Sequence, residues 1–407
     1  MKIGFLGNTN NYPFIIASQM KEMGCNVVLY VDAPKEDLLN RPENFSVDIS
    51  YPYPDWIKEK TSLGKSLNIH FPRVFEKAVI RELNTCNAVI LNGYGHRFKN
   101  YIKSSIPSIS MFSGGDLEIM ADYDNVLQMK LSSAKMNFLP IGIKKAFARF
   151  SVNQLRKGIA RASLVSYFPE GLVPIGDKLL NEIFAGKPFE RFSHLHVITK
   201  DHHYCPPAAH EVFRIFSMTR FIWKTPFPAG RSAAENKGND IMLKGIGLFL
   251  KKFNKPVEIH FIEKGLHVQE SKQLIEELGF SDTVTWHKEM PFKELTGHVE
   301  KADVVFEQLG THYISGGFYA MLQGRPVIGN AHPEIFDEIT GEPTPVCHAQ
   351  TAEEVCNWLV RLSENRELVK TIGMQSRKYI LDHFDISNET KYFKEFLEKE
   401  LKSGWAD

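Results

Sequence analysis

Residues 306–328 read FEQLGTHYISGGFYAMLQGRPVI and behave as one mechanical unit. The run Ala302-Asp303-Val304-Val305-Phe306 has the character of a short buried strand, and a polar loop with Gly310 follows it. Ser315-Gly316-Gly317 then opens a helix whose apolar residues are Phe318, Met321 and Leu322. Gly324 ends that helix, and Pro326-Val327-Ile328 begins the next buried strand. Gly324-Arg325-Pro326 is helix-stop chemistry: glycine takes the left-handed terminal position and proline cannot continue the helix. Glycines at the start of a helix leave backbone N–H groups facing outward, and the helix dipole adds partial positive charge there. The expectation is an anion site on a β-loop-α-β frame, at the carboxyl end of a strand where open α/β sheets bind ligands.

The same pattern repeats on both sides of this segment. Lys2 to Gly7 reads as a buried strand, Asn8-Thr9-Asn10-Asn11 as a polar loop, Phe14 to Met23 as a helix, and Val27 to Val31 as a second strand. Ala88 to Leu91 leads into Asn92-Gly-Tyr-Gly-His96, Ile106 to Met111 leads into Ser113-Gly-Gly-Asp116, and Ala162 to Tyr167 is a later strand. After Asp201–Pro207, whose paired prolines restrict the backbone, a second alternation begins. Its strands are Val212–Ser217, Glu258–Glu263, Thr283–His287, Ala302–Phe306 and Pro326–Ile328. Its helices are Asp240–Phe253, Glu270–Leu278, Thr351–Leu362 and Arg366–Phe384. Strand-then-glycine loops with helices between them predict parallel sheets. A length of 407 residues suits two domains. The expected division is 1–205, 206–380 and a C-terminal helix over 381–407 that packs back on the first domain.

A net charge of +1 supplies no global argument for nucleic acid. Five scattered cysteines without a CxxC predict a reduced, cytoplasmic protein. The opening MKIGFLGNTNNY has too short an apolar run for a signal peptide, and no run of about 18 apolar residues occurs.

Tyr319-Ala-Met-Leu322 followed by Gly324-Arg-Pro-Val-Ile328 resembles the C-terminal signature of family 4 glycosyltransferases, in which Glu-Ala-Met-Ala precedes Gly-x-Pro-Val-Ile. The resemblance implies a GT-B fold: α/β, with two Rossmann-like domains whose parallel sheets face a central cleft. It covers the second half and fits the first loosely. The family's two glutamates, eight positions apart, fall here on Thr311 and Tyr319, and Glu307-Gln308 is the nearby acidic pair. By the same resemblance Arg220 and Lys237 would face the donor diphosphate. Gly265 would form the turn after the next strand, and His287 would lie beside the nucleobase. Glu307, Gln308, Gly310, Ser315, Gly316, Gly317 and Tyr319 would complete the donor site. Asn8, Thr9 and Asn10 would form an acceptor-side loop. A diphosphate held by two cations implies no metal and no cofactor beyond the nucleotide-sugar.

Other features admit plainer readings. Gly7-Asn8-Thr9-Asn10 lacks the second and third glycines of the dinucleotide fingerprint, although Asp32 sits where its acid belongs. Asp122-Tyr-Asp124 reads as a solvated loop rather than a metal site. His202, His203 and Cys205 match no structural zinc spacing. Asp116 either orients an acceptor hydroxyl or acts on it as a base, the plainer reading being that it caps the helix starting at Leu117. His96 is a further catalytic candidate. Residues 130–161 hold eight Lys and Arg and no acid, with aromatic and aliphatic residues between. That stretch is either a solvated face or a contact with anionic membrane, with Pro140 and Gly142 expected to interrupt any long helix.

The functional expectation is transfer of a sugar from a nucleotide-sugar to a glycan or lipid-linked acceptor in surface polysaccharide assembly, with retention implied by the resemblance. A sugar-nucleotide epimerase of related fold and a non-catalytic sugar-nucleotide-binding subunit are the alternatives.

Overall fold

The computed structural model describes residues 1–199, 202–207, 211–227, 235–310 and 316–403; Ser315 and Thr311 lie outside them. Two parallel sheets organise the chain. The first contains β1 (Lys2–Leu6), β2 (Asn26–Val31), β3 (Ile57–Glu59), β4 (Ala88–Asn92), β5 (Ser108–Met111), β6 (Leu164–Tyr167) and β7 (Arg191–Ser193), in the order β3-β2-β1-β4-β5-β6-β7. The second contains β8 (Phe213–Ser217), β9 (Val257–Ile262), β10 (Val284–His287), β11 (Val304–Phe306), β12 (Val327–Gly329) and β13 (Cys347–His348), in the order β10-β9-β8-β11-β12-β13.

Central strands such as β4, buried at every residue, read as unbroken apolar runs because helices cover both faces of a parallel sheet. In the second sheet the core gathers Phe213, Ile215, Ile259, Phe261, Val304 and Phe306 against the helices Asn239–Leu250 and Ala352–Glu364. Those two helices pack tightly: a Cβ on Gly245 would come within 2.4 Å of Val355 Cγ1. In both sheets strand order reverses once, between β1 and β4 and between β8 and β11. At such a reversal successive crossovers leave in opposite directions and open a crevice at the carboxyl ends of the strands.

The chain forms two compact units. One is Met1–His194 with the chain from Ser387 onward, and the other is Leu195–Phe227 with residues 235–386, so the stretch 202–207 belongs to the second. The C-terminal helix Ile386–Ser403 is fastened inside the first unit, where buried Glu389 accepts from His194 Nδ1 at 2.8 Å. Pro140 and Gly142 do not interrupt a helix. Pro140 caps the start of Ile141–Ile159, and Gly142 sits in its first turn with open space around it. Among the described residues no helix is long and apolar enough to cross a membrane.

Candidate functional site

Each reversal carries a group of polar residues. At the β1–β4 reversal, Gly7 has φ +92°, and a Cβ there would lie 2.3 Å from the carbonyl oxygen of Asn92, so the two loops touch backbone to backbone. Asn92 is the hub: its Oδ1 accepts from Thr9 N at 2.8 Å and its Nδ2 donates to Met111 O at 2.9 Å. Asn8 is buried and spends its amide locally, donating to Asn11 Oδ1 and Asn40 O and accepting from Phe14 N. Around these loops lies a cavity of about 340 Å³ lined by Asn8, Thr9, Asp32, Arg97 and Asp116 among others. Asn10, expected beside them, is exposed and does not line it.

Asp116 ties two loops together: Oδ1 accepts from Ser113 N at 2.9 Å and Oδ2 from Gly93 N at 3.2 Å. It is not the helix cap; Gly114 holds that position. His96 does not reach the cavity. It is fully buried behind Asp116, with Nε2 3.6 Å from Asp116 Oδ2, Nδ1 3.2 Å from Ser110 Oγ, and its ring against Phe112. Burial pushes its pKa down despite the carboxylate, which keeps the ring neutral near pH 7.

At the β8–β11 reversal, backbone contacts build the site. Lys237 N donates to Ile222 O at 2.7 Å, and Leu309 N donates to Lys237 O at 2.9 Å. Gly238 has φ +65°, and a Cβ on Gly310 would lie 2.0 Å from Asn236 O, so glycine is needed on both sides of the contact. Glu307 directly follows β11. It is 7% exposed, and its carboxylate accepts from the backbone N–H groups of Gln308 and Gly317. A Cβ on Gly316 would meet Glu307 Oε2 at 2.5 Å. The outward N–H of this turn, expected to hold a ligand anion, is therefore taken by the protein's own carboxylate. Burial pushes the Glu307 pKa up to about 7, against the pull of Lys237 and Arg220. Arg220 itself is exposed. Gly265, at φ +120°, presses on the backbone of Phe221, within 2.4 Å of its oxygen for a Cβ.

Two expected donor residues engage neighbouring rings. Tyr319 is buried, its ring packed against His202 and Phe292 at centroid distances of 4.9 and 4.7 Å. His287 shares a 3.0 Å hydrogen bond with His260 and packs against His298. Asp122, read as a solvated loop, caps the helix Tyr123–Ser132 by accepting from Asn125 N at 2.7 Å. His202 is packed and pushed down to about 4 by burial. Arg97 was missed altogether, since a lone arginine in a glycine-rich turn has no spacing signal.

No protein-family model and no curated protein matches the sequence. Solved structures do match across nearly the whole chain. Sucrose-phosphate synthase from Thermosynechococcus elongatus aligns with a TM-score of 0.61 at 12% identity, over 99% of this chain and 100% of that one. The fold is GT-B. HepE of Anabaena, solved with UDP and glucose, aligns at 0.58 and 14% identity, over 98% of this chain and 100% of that one. WaaG, a glycosyltransferase of lipopolysaccharide biosynthesis, aligns at 0.56 and 11%, over 95% and 98%.

Proposed function

We propose that the protein is a glycosyltransferase that moves a sugar from a nucleotide-sugar to a glycan or lipid-linked acceptor in surface polysaccharide assembly. The observation that carries this is the meeting of Arg220, Lys237 and Glu307 at the β8–β11 reversal. In transfer, the bond from the anomeric carbon to the diphosphate oxygen breaks and a bond to the acceptor oxygen forms. Charge then builds on the departing diphosphate. Arg220 grips phosphate oxygens through its planar fork, and Lys237 adds a point charge. With retention, which the resemblance implies, the acceptor proton passes to the departing phosphate. Asp116 orients the acceptor hydroxyl, and His96 positions Asp116. The likeness to a fold solved with UDP supports this reading. Because side chains carry the charge, turnover is expected to survive EDTA; loss restored by manganese would contradict it.

Incubation with UDP-, GDP- and dTDP-sugars tests the class. Slow release of nucleoside diphosphate supports a transferase, whereas an epimerised sugar-nucleotide or binding without turnover points to the two alternatives.

The first unit also carries a face suited to anionic lipid. Phe138, at 80% exposed, Ile141 and Ile143 stand out at the start of the helix Ile141–Ile159. Phe71 stacks on Phe150 and the His70 ring lies tilted against Phe147, bringing exposed Leu67, Val74 and Phe75 alongside. Lys135, Lys145, Arg149 and Lys157 are exposed in the same region, while Lys144 is buried and Arg156 bonds Ala121 O and Glu182. A second copy would set cation against cation, so an anionic bilayer is the fitting occupant, with the protein peripheral at the cytoplasmic face.

A further inference from the structure

We propose that the cavity at the β1–β4 reversal takes a small hydroxylated ligand bearing one anionic group, the anionic group at Arg97 and the hydroxyls at Asp32. On the transferase reading this ligand is the acceptor; the binding itself does not rest on that reading.

Arg97 lines the cavity yet is only 3% exposed. Nη2 donates to Ser151 Oγ at 3.1 Å, and among the described residues neither Nε nor Nη1 has an acceptor. Among the described residues no carboxylate pairs with it, and the Tyr94 ring lies 5.9 Å from the guanidinium. Its charged neighbour Lys130 has the same sign. His70, on the other side of Ser151, is pushed down to about 4, chiefly by burial, and is neutral. Burial draws the arginine itself down to about 10, still a cation at neutral pH. An unpaired buried cation is costly, and a fold keeps one where a ligand supplies the missing anion.

Asp32 stands directly after β2 in the same cavity wall. No cation pairs with it among the described residues; burial and the nearby Asp37 both push its pKa up. Its carboxyl is placed to accept from hydroxyls. Inorganic phosphate would satisfy Arg97 but meet Asp32, Asp37 and Asp116. A neutral sugar would satisfy the acids and leave Arg97 unpaired. A monosaccharide unit carrying a carboxylate or a phosphate ester satisfies both ends, and about 340 Å³ suits that size.

The test uses the full chain without any nucleotide-sugar, by calorimetry and thermal shift. Glucose, galactose and mannose are compared with their uronates and 6-phosphates, and with inorganic phosphate. At least one acidic sugar is expected to bind ten or more times tighter than its neutral parent and than inorganic phosphate; uronate or phosphate preference then names the anion. Arg97→Met should erase that preference without lowering the melting temperature of the free protein, Arg97→Lys should retain part of it, and Asp32→Asn should weaken acidic and neutral sugars alike. Neutral sugars binding as tightly as acidic ones, no binding by any, or a preference that survives Arg97→Met would overturn the proposal. If Arg97→Met fails to fold, the wild-type panel and Asp32→Asn decide. With no donor present, failure here leaves the Arg220 and Lys237 assignments untouched.

Discussion

At the β8–β11 reversal, glycine backbones press together and hold Lys237 in place beside Arg220 and a buried carboxyl. At the β1–β4 reversal, side chains from four separate loops enclose a cavity, and two of its charged groups, Asp32 and Arg97, lack partners of opposite sign among the described residues. The first construction suits a ligand whose charge changes during reaction, because cations set in place beforehand by fixed backbone meet the new charge with little reorganisation. The second suits recognition, since enclosed and unpaired groups penalise any ligand that leaves them unsatisfied.

The sharpest way to break this contrast is to remove the cations. Arg220→Ala and Lys237→Ala are each expected to slow transfer by about 30- to 1,000-fold, the equivalent of roughly 2–4 kcal/mol, with circular dichroism unchanged. Near-normal turnover in both folded variants would remove the diphosphate from this reversal.

Glu307 sharpens it further. Its folded pKa of about 7 lies above the ordinary value of 4.5, so the protonated form fits the fold better. The stability it allows is fully present below about pH 4.5 and is lost as pH rises through about 7. The full penalty is on the order of 3 kcal/mol. Glu307→Gln should therefore flatten the part of the melting profile between pH 5 and 8 that this group contributes, and raise the melting temperature most at pH 8. An unchanged profile would mean that the carboxyl is ionised and already satisfied at neutral pH.

The smallest effect belongs to the exposed basic and apolar face of the first unit. Lys135→Gln, Lys145→Gln and Arg149→Gln together should reduce cosedimentation with phosphatidylglycerol vesicles about tenfold at low salt, since each cation contributes roughly 1 kcal/mol before screening. Added salt should narrow the gap. Equal sedimentation with phosphatidylcholine would make this a solvated face.

Much of the architecture was readable because strands buried on both faces leave continuous apolar runs, and because glycine marks where backbones must touch. The runs at β1, β4 and β11 and the glycines at 238, 265 and 310 carry that information in residue type alone. The edge strands β3, β7 and β13 were not foreseen. They are two or three residues long and only partly buried, so they have no period to detect. Arg220, Lys237 and Glu307 were named from motif resemblance, and the fold brings them together. The direction of a loop side chain was a different matter. Tyr319 turned into a ring cluster, His96 sank behind Asp116, and Arg97 came to line a cavity with Asp32, 65 positions earlier in the chain. Those outcomes depend on which distant loops meet at a reversal of strand order, and contacts of that kind are set by packing between elements rather than by neighbours along the chain.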